Sequence, residues 1–329
     1  MATTPPEFPV FDLARWEAAP SSERGARAAE VDALCRATGF LALSGHGVPQ
    51  EVIDAAWSQA KAFFDLPPER KARASAPYPG YPYGYLGPRL ESLAKSRDVD
   101  APPDLKESFN GGPARAPDGM TDPEALAFCY AATIWPDAPE GFETAWRAYY
   151  AAMEALAARV MRLFAAALGL AEDYFEPFID APVSALRALN YPEASEPPEP
   201  GQIRAGAHTD YGSLTILLPQ PSSRGLEILT PDGVWTEVPP LPGAFVVNIG
   251  DLMARWTNDR WVSTLHRVVV PPPEEGGAER RQSFAFFHQP NWDAEIVPLA
   301  ACLEPGETAK YPPVLSGPYL MGKFKATTI

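Results

Sequence analysis

Two kinds of hydrophobic periodicity divide the chain. From Gly141 to Gly169 the apolar residues Trp146, Tyr150, Met153, Ala157, Val160, Phe164 and Leu168 recur at steps of three and four. The run closes on a glycine, so the spacing predicts a helix. The stretch from Gly25 to Thr38 reads the same way. Beyond residue 184 the apolar runs shorten into "SALRALNY", "SLTILLPQ", "GLEILT", "WTEVPP", "AFVVNIG", "STLHRVVV" and "RQSFAFFH". Glycine, proline and the "PDG" at 231–233 separate them, as in a many-stranded antiparallel sandwich or jelly roll. No internal repeat is evident. The fold class expected is α+β, with a helix-rich region over 1–180, a jelly roll over 181–295 and a tail over 296–329.

Composition narrows the picture. With 329 residues, 46% of them hydrophobic, the chain is long enough to bury a sizeable core. The 39 prolines are unevenly spread, and the runs that stand out at 80–88, 196–201 and 271–277 are expected to be loops because proline cannot donate to a ladder. A net charge of −15 repels a phosphate backbone, and no cluster of Lys and Arg reverses it locally, so nucleic acid is excluded as a partner. No apolar run is long enough to span a bilayer, and the first residues lack the basic and apolar regions of a signal peptide. A cytoplasmic monomer acting on a small molecule, with no membrane partner, is expected. Cys35, Cys129 and Cys302 are far apart and form no C-x-x-C spacing, so neither a disulfide framework nor a thiolate zinc site is indicated.

Against that background "HTDYGS" at 208–213 stands out. On a strand His208 and Asp210 point to the same side, with Cα atoms roughly 6.5 Å apart. An imidazole and a carboxylate are two of the three ligands in the facial triad of non-haem Fe(II) sites. Of the four histidines, His266 in "STLHRVVVPP" sits in a β-branched strand context and is the third candidate. His46 in "LSGHGVP" suits a structural hydrogen bond. Arg281 and Ser283 also lie two apart, so a guanidinium fork and a hydroxyl face the same way and can seat a carboxylate. The same parity turns Ala285 and Phe287 inward and Gln282, Phe284, Phe286 and His288 outward, which removes His288 as a ligand.

In combination, "AHTDYGSLTILL", "GLEIL", "WTEVPPLPGAFVVNIGDLM", "STLHRVVVP" and "RQSFAFF" resemble the C-terminal domain of the Fe(II)/2-oxoglutarate-dependent oxygenases related to isopenicillin N synthase. "FPVFDLA", "CRATGFLALSGHGVP" and "PDLKESFN" look like that family's N-terminal domain. The resemblance implies a double-stranded β-helix core with flanking helices, a C-terminal tail over the active-site mouth, and Fe(II), 2-oxoglutarate and O2 as cofactors. It implies His208, Asp210 and His266 as iron ligands and Arg281 with Ser283 as the seat of the distal 2-oxoglutarate carboxylate. Tyr191 in "LNYP" matches a tyrosine that contacts the co-substrate or substrate in relatives, although Leu189 stands where many of them have asparagine. The reaction implied is oxidation of a small molecule, hydroxylation above all, with desaturation or ring closure as variants, and release of succinate and CO2. Tyr83, Tyr85, Arg89, Phe109, Arg204 and Phe287 are candidate pocket residues.

Three rival readings stay open at this level. Some members of the family keep both motifs yet take no 2-oxoglutarate. A jelly-roll binding protein can retain a metal without turnover. A zinc hydrolase would use two histidines and a carboxylate, but leaves Arg281 and Ser283 without a role.

Overall fold

The computed structural model describes residues 8–91, 93, 102–193, 202–221, 223–272 and 279–327. The proline-rich run at 196–201 and most of that at 271–277 lie outside the described residues.

The N-terminal half carries helices α1 (Leu13–Glu17), α2 (Ser21–Ala37), α3 (Gln50–Phe64), α4 (Pro68–Lys71), α5 (Pro123–Ala127) and α6 (Phe142–Ala167). Between them run strands β1 (Val10–Asp12), β2 (Phe40–Ser44), β3 (Gly84–Leu86) and β4 (Glu107–Gly111). The C-terminal half supplies β5 (Ala185–Tyr191), β6 (Ala205–His208), β7 (Leu214–Pro219), β8 (Leu226–Leu229), β9 (Trp235–Glu237) and β10 (Phe245–Ile249). Helix α7 (Asp251–Trp256), β11 (His266–Val268), β12 (Arg281–His288), β13 (Glu295–Ile296), β14 (Val314–Leu315) and α8 (Ser316–Thr327) complete it. An eight-stranded sheet ordered β1-β2-β10-β7-β12-β5-β4-β3 faces a four-stranded sheet ordered β6-β11-β8-β9, and β13 pairs with β14.

Strand alternation assigns each face its own core. On β12, Phe284 and Phe286 turn outward onto α6, with Phe284 5.2 Å from Tyr149 and Phe286 5.3 Å from Tyr150, ring centroid to centroid. Ala285 and Phe287 turn inward, where Leu189, Tyr191, Ala205, Leu226, Ile228 and Val268 fill the space between the sheets. The helical spacing of residues 141–169 is thus the stripe by which α6 covers the outer face of the large sheet.

All seven C-terminal segments read as β contain strands, and both predicted helices form. The pattern did not announce that the N-terminal half gives four strands to the large sheet. β2 is a short apolar run between Gly39 and Gly45, both in the left-handed region, and its partners β1 and β10 lie far away in sequence. In β4, Glu107 is buried because Lys71 pairs with it at 2.7 Å while Asn190 and Tyr85 donate to it. Among the described residues no helix is long and apolar enough to cross a membrane.

His46 accepts the Val48 N–H at 3.1 Å on Nδ1, the structural bond expected of it. His288 lies outward on β12 with Nδ1 3.0 Å from Ser184 Oγ, and burial pushes its pKa down to about 4 from an ordinary 6.5. The unfolded chain takes up this proton first, so stability present above pH 6.5 is lost as the pH falls toward 4. The stability difference between wild type and His288→Gln should therefore narrow by about 3 kcal/mol across that interval in urea unfolding. A difference that does not change with pH would contradict a neutral buried ring.

Candidate metal centre and anion seat

His208 and His266 oppose each other directly across the antiparallel β6–β11 pair, with ring centroids 4.3 Å apart. β11 is an inner strand of its sheet, as the context of His266 predicts. Asp210 departs from the expectation, because β6 ends at His208 and the carboxylate stands on the loop beyond. The cause lies in α7. Its first N–H groups have no partner inside the helix. Asp251 N–H therefore donates to Asp210 C=O at 2.7 Å, and Leu252 N–H to the carbonyls of Tyr211 and Gly212 at 3.2 Å. These bonds take the loop out of the ladder. So close an approach needs glycine at 250, where a Cβ would lie 2.2 Å from the Gly212 oxygen.

The three side chains converge. One donor atom from each of His208, Asp210 and His266 lies within 4.8 Å of the others, and among the described residues this is the one such group of metal-binding donors. Both Nε2 atoms stand 3.8 Å from Asp210 Oδ1, too far for a hydrogen bond and suitable for a shared ion. The second carboxylate oxygen is already held: Thr215 Oγ1 donates to Oδ2 at 2.6 Å and Asn248 Nδ2 at 2.8 Å. His208 Nδ1 lies 2.7 Å from Gly206 C=O and His266 Nδ1 3.1 Å from Thr264 C=O, so each Nδ1 carries the proton and each Nε2 offers its lone pair inward. Burial, then the neighbouring His266, lowers the His208 pKa and keeps the ring neutral. Burial alone would raise the Asp210 pKa, but the two histidines and the bonds from Asn248 and Thr215 outweigh it and hold the group ionised. Two imidazoles and one carboxylate aimed at one point form a site suited to a divalent cation with coordination positions to spare.

A second feature lies deeper between the sheets. Arg281 is 2% exposed, its guanidinium lies 5.0 Å from the Tyr191 ring centroid, and Nη1 donates to Ser283 Oγ at 3.3 Å. Its Nε has no partner, and among the described residues the influences that act on its charge are burial and Tyr191, with no carboxylate. A buried cation without a counter-ion costs several kcal/mol, and an anion placed against the guanidinium would offset that cost. Arg204 belongs to the same end. It precedes β6, donates to Glu279 C=O at 2.7 Å, and its pKa is lowered by burial and then by the charge of Arg281.

The remaining pocket candidates divide. Phe287 faces the space between the sheets. Tyr85 and Phe109 pair across β3–β4 on the opposite face: Phe109 is fully buried against Phe63, Phe142 and Trp146, and Tyr85 donates to Glu107. Tyr83 donates to Cys129 C=O at 2.7 Å. These three belong to the packing between helices and sheet, because β4 turns Asn110, not Phe109, to the inner side. Arg89 is exposed beyond β3 with φ 61°. The residues that sequence reasoning missed are Arg187 and its partners. Arg187 stands opposite Ala285 on the inner face, donates to Asn110 at 2.5 Å and pairs with Glu91 at 3.1 Å. Glu91 also meets Lys106, which pairs with Asp104, and Asp104 accepts the N–H of Gly206, two residues before His208. The signal was present in "SALRALNY", where Arg187 is the one charge in an apolar strand.

Comparison with known proteins identifies the architecture. Residues 182–290 match the 2OG-Fe(II) oxygenase superfamily and residues 8–138 the N-terminal region described as non-haem dioxygenase in morphine synthesis. The chain is 33% identical to the 2-oxoglutarate-Fe(II) type oxidoreductase hxnY of Emericella nidulans, over 99% of this chain and 91% of the relative. It belongs to the 2-oxoglutarate–Fe(II) oxygenase superfamily. This oxygenase is also 35% identical to validamycin A dioxygenase of Streptomyces hygroscopicus subsp. limoneus, over 89% of this chain and 80% of that one. A full-length Neurospora crassa protein, solved in complex with alpha-KG and thymine, superposes with a TM-score of 0.84 at 30% identity and 97% coverage of each chain. The protein is thus a non-haem dioxygenase that uses Fe(II) and 2-oxoglutarate to oxidise a small molecule.

The bonds to Asp210 Oδ2 give a direct test. Thr215→Val and Asn248→Ala should each weaken Fe(II) affinity by about tenfold to a hundredfold in anaerobic titration, and Asp210→Ala should remove binding. Unchanged affinity in Asp210→Ala would contradict the proposed centre.

Proposed function

We propose that His208, Asp210 and His266 hold Fe(II), that Arg281 and Ser283 beside Tyr191 seat the distal carboxylate of 2-oxoglutarate, and that the enzyme hydroxylates a small polar molecule entering past Phe287, Arg187 and Asn110. The observation that carries this reading is the pairing of a three-donor centre with an un-neutralised buried guanidinium between the same two sheets.

Once bound, the metal, the keto acid and O2 would together supply the oxidation of a substrate C–H bond, one oxygen atom going to the product and the other to succinate as CO2 is lost. The chain's part is to hold and orient. Three protein ligands leave the other metal positions to the co-substrate and oxygen. The Arg281 fork and the Ser283 hydroxyl fix the co-substrate's far end, and the Tyr191 ring covers the guanidinium. Along β5 and β12, Arg281 opposite Tyr191 lies at one end of the inner row, and Arg187 opposite Ala285 is four residues along it. At about 3.3 Å per residue that separates them by roughly 13 Å, enough for the co-substrate and the reacting carbon to lie between.

A polar substrate is favoured because Arg187, Asn110, Glu91 and Lys106 give the inner side of this mouth both donors and acceptors. Relatives take compounds of that kind: thymine is bound in the Neurospora crassa protein, and others are named for validamycin A and as a homoarginine-6-hydroxylase of rice. The last supports hydroxylation as the outcome. Buried free Cys35 and Cys129 are in keeping with a cytoplasmic setting.

Arg281→Gln should raise the KM for 2-oxoglutarate more than about tenfold while that for the substrate changes little, and Arg187→Met should show the opposite split. Adding 2-oxoglutarate to the anaerobic Fe(II) protein should produce a weak visible absorption band. Equal effects of Arg281→Gln on both KM values, or no band, would overturn the assignment.

A further inference from the structure

The end of the chain returns to the metal centre. Leu320 and Met321 of α8 pack with Ala125, Cys129, Val183 and Trp292 in an apolar cluster, with Tyr211 and Phe324 against it. The Phe324 ring meets Tyr211 edge-on at 5.6 Å and Phe128 at 4.8 Å. Tyr211 directly follows Asp210. Beside it, Lys323 Nζ donates to Asp251 Oδ2 at 2.7 Å, and the same oxygen accepts from Thr209 Oγ1 at 3.2 Å. Thr209 stands between His208 and Asp210. Asp251 therefore grips the loop twice, through its carboxylate at Thr209 and through its backbone N–H at Asp210 C=O.

We propose that Lys323 and Phe324 are positioning residues for the metal centre, a clasp that sets the Asp251 carboxylate and the Tyr211 ring so that His208 and Asp210 stand at ligand separation before metal arrives. The inference rests on the triad reading above. Its physical basis is that Thr209 and Asp210 lie past the end of β6, where no ladder holds them. Asp251 begins a helix, and its side chain has solvent as an alternative to Thr209 unless Lys323 retains it. The Lys323 ammonium lies 5.9 Å from the Tyr211 ring centroid and 5.6 Å from that of Tyr319, so the cation meets the loop at Tyr211 and its own helix at Tyr319. Without the clasp, metal binding must also order the loop, and that cost appears as lost affinity.

α8 contains its own control. Lys325 pairs with Glu124 of α5 at 2.6 Å, docking the same helix without touching the ligand loop, and its side chain is 68% exposed. The experiment is a titration of the purified full-length protein with Co(II) alone, followed by its visible spectrum. Lys323→Met, which keeps the apolar stem and removes the charge, should weaken Co(II) binding about fivefold to tenfold, less than loss of a group bonded to a ligand itself. Lys323→Arg should restore most of it, and Lys325→Met should bind as wild type. The Lys323 side chain is 37% exposed, so these variants are expected to fold, with far-UV circular dichroism as the check. Wild-type affinity in Lys323→Met, or equal loss in Lys323→Met and Lys325→Met, would overturn the clasp. Asp210→Ala separates the two readings: if it binds Co(II) normally the triad assignment fails, and if it loses Co(II) while Lys323→Met does not, the clasp alone fails.

Discussion

Everything at the centre depends on Asp210 having one oxygen occupied and the other free. Thr215 and Asn248 hold Oδ2, so Oδ1 is turned toward two imidazoles whose own protons are committed to backbone carbonyls. Each of the three groups is oriented by a bond made on its far side, and the near sides are left for an ion. Thr215 and Asn248 come from β7 and β10, neighbours in the large sheet, while His208 and His266 come from the small one. The metal centre thus bridges the two sheets and requires both to be in place.

The fold explains why this is stable without a local ladder. The ligand loop rests on the opening turn of α7, and Gly250 and Gly212 permit the contact. The large sheet behind it is held from outside by α6 and the aromatic packing of Phe284 and Phe286. Its inner face is then free to carry chemistry. Arg281, Ser283, Ala285 and Phe287 run along β12 from the anion seat toward the mouth, with Tyr191, Leu189, Arg187 and Ala185 facing them on β5. One strand pair therefore has the buried Arg281 guanidinium at one end and the polar Arg187–Asn110 pair at the other.

Much of this was legible from alternation alone. The parity of β12 separated Arg281 and Ser283 from the outward Phe284, Phe286 and His288, and the structure has that division. What could not be read depends on contacts distant in sequence. β2 is strand because β10 pairs with it, and Asp210 leaves its strand because α7 begins forty residues later. Tyr85 in a tyrosine-rich segment and Phe109 in "KESFNGG" looked like pocket aromatics, yet their face of β3 and β4 is fixed by pairing to β5, which turns them into the core. Arg187 was overlooked because its partners, Asn110 and Glu91, come from the N-terminal half.

Family membership, the three-donor centre and the un-neutralised buried guanidinium converge on oxidation coupled to 2-oxoglutarate. The measurement that tests this most directly is succinate formed when oxygen is admitted to the anaerobic Fe(II) protein with 2-oxoglutarate, with and without small polar candidate substrates. The account predicts slow succinate release from the enzyme alone, quickened by one class of compound and matched to product. Protein that binds iron stoichiometrically but forms no succinate under any of these conditions would contradict it.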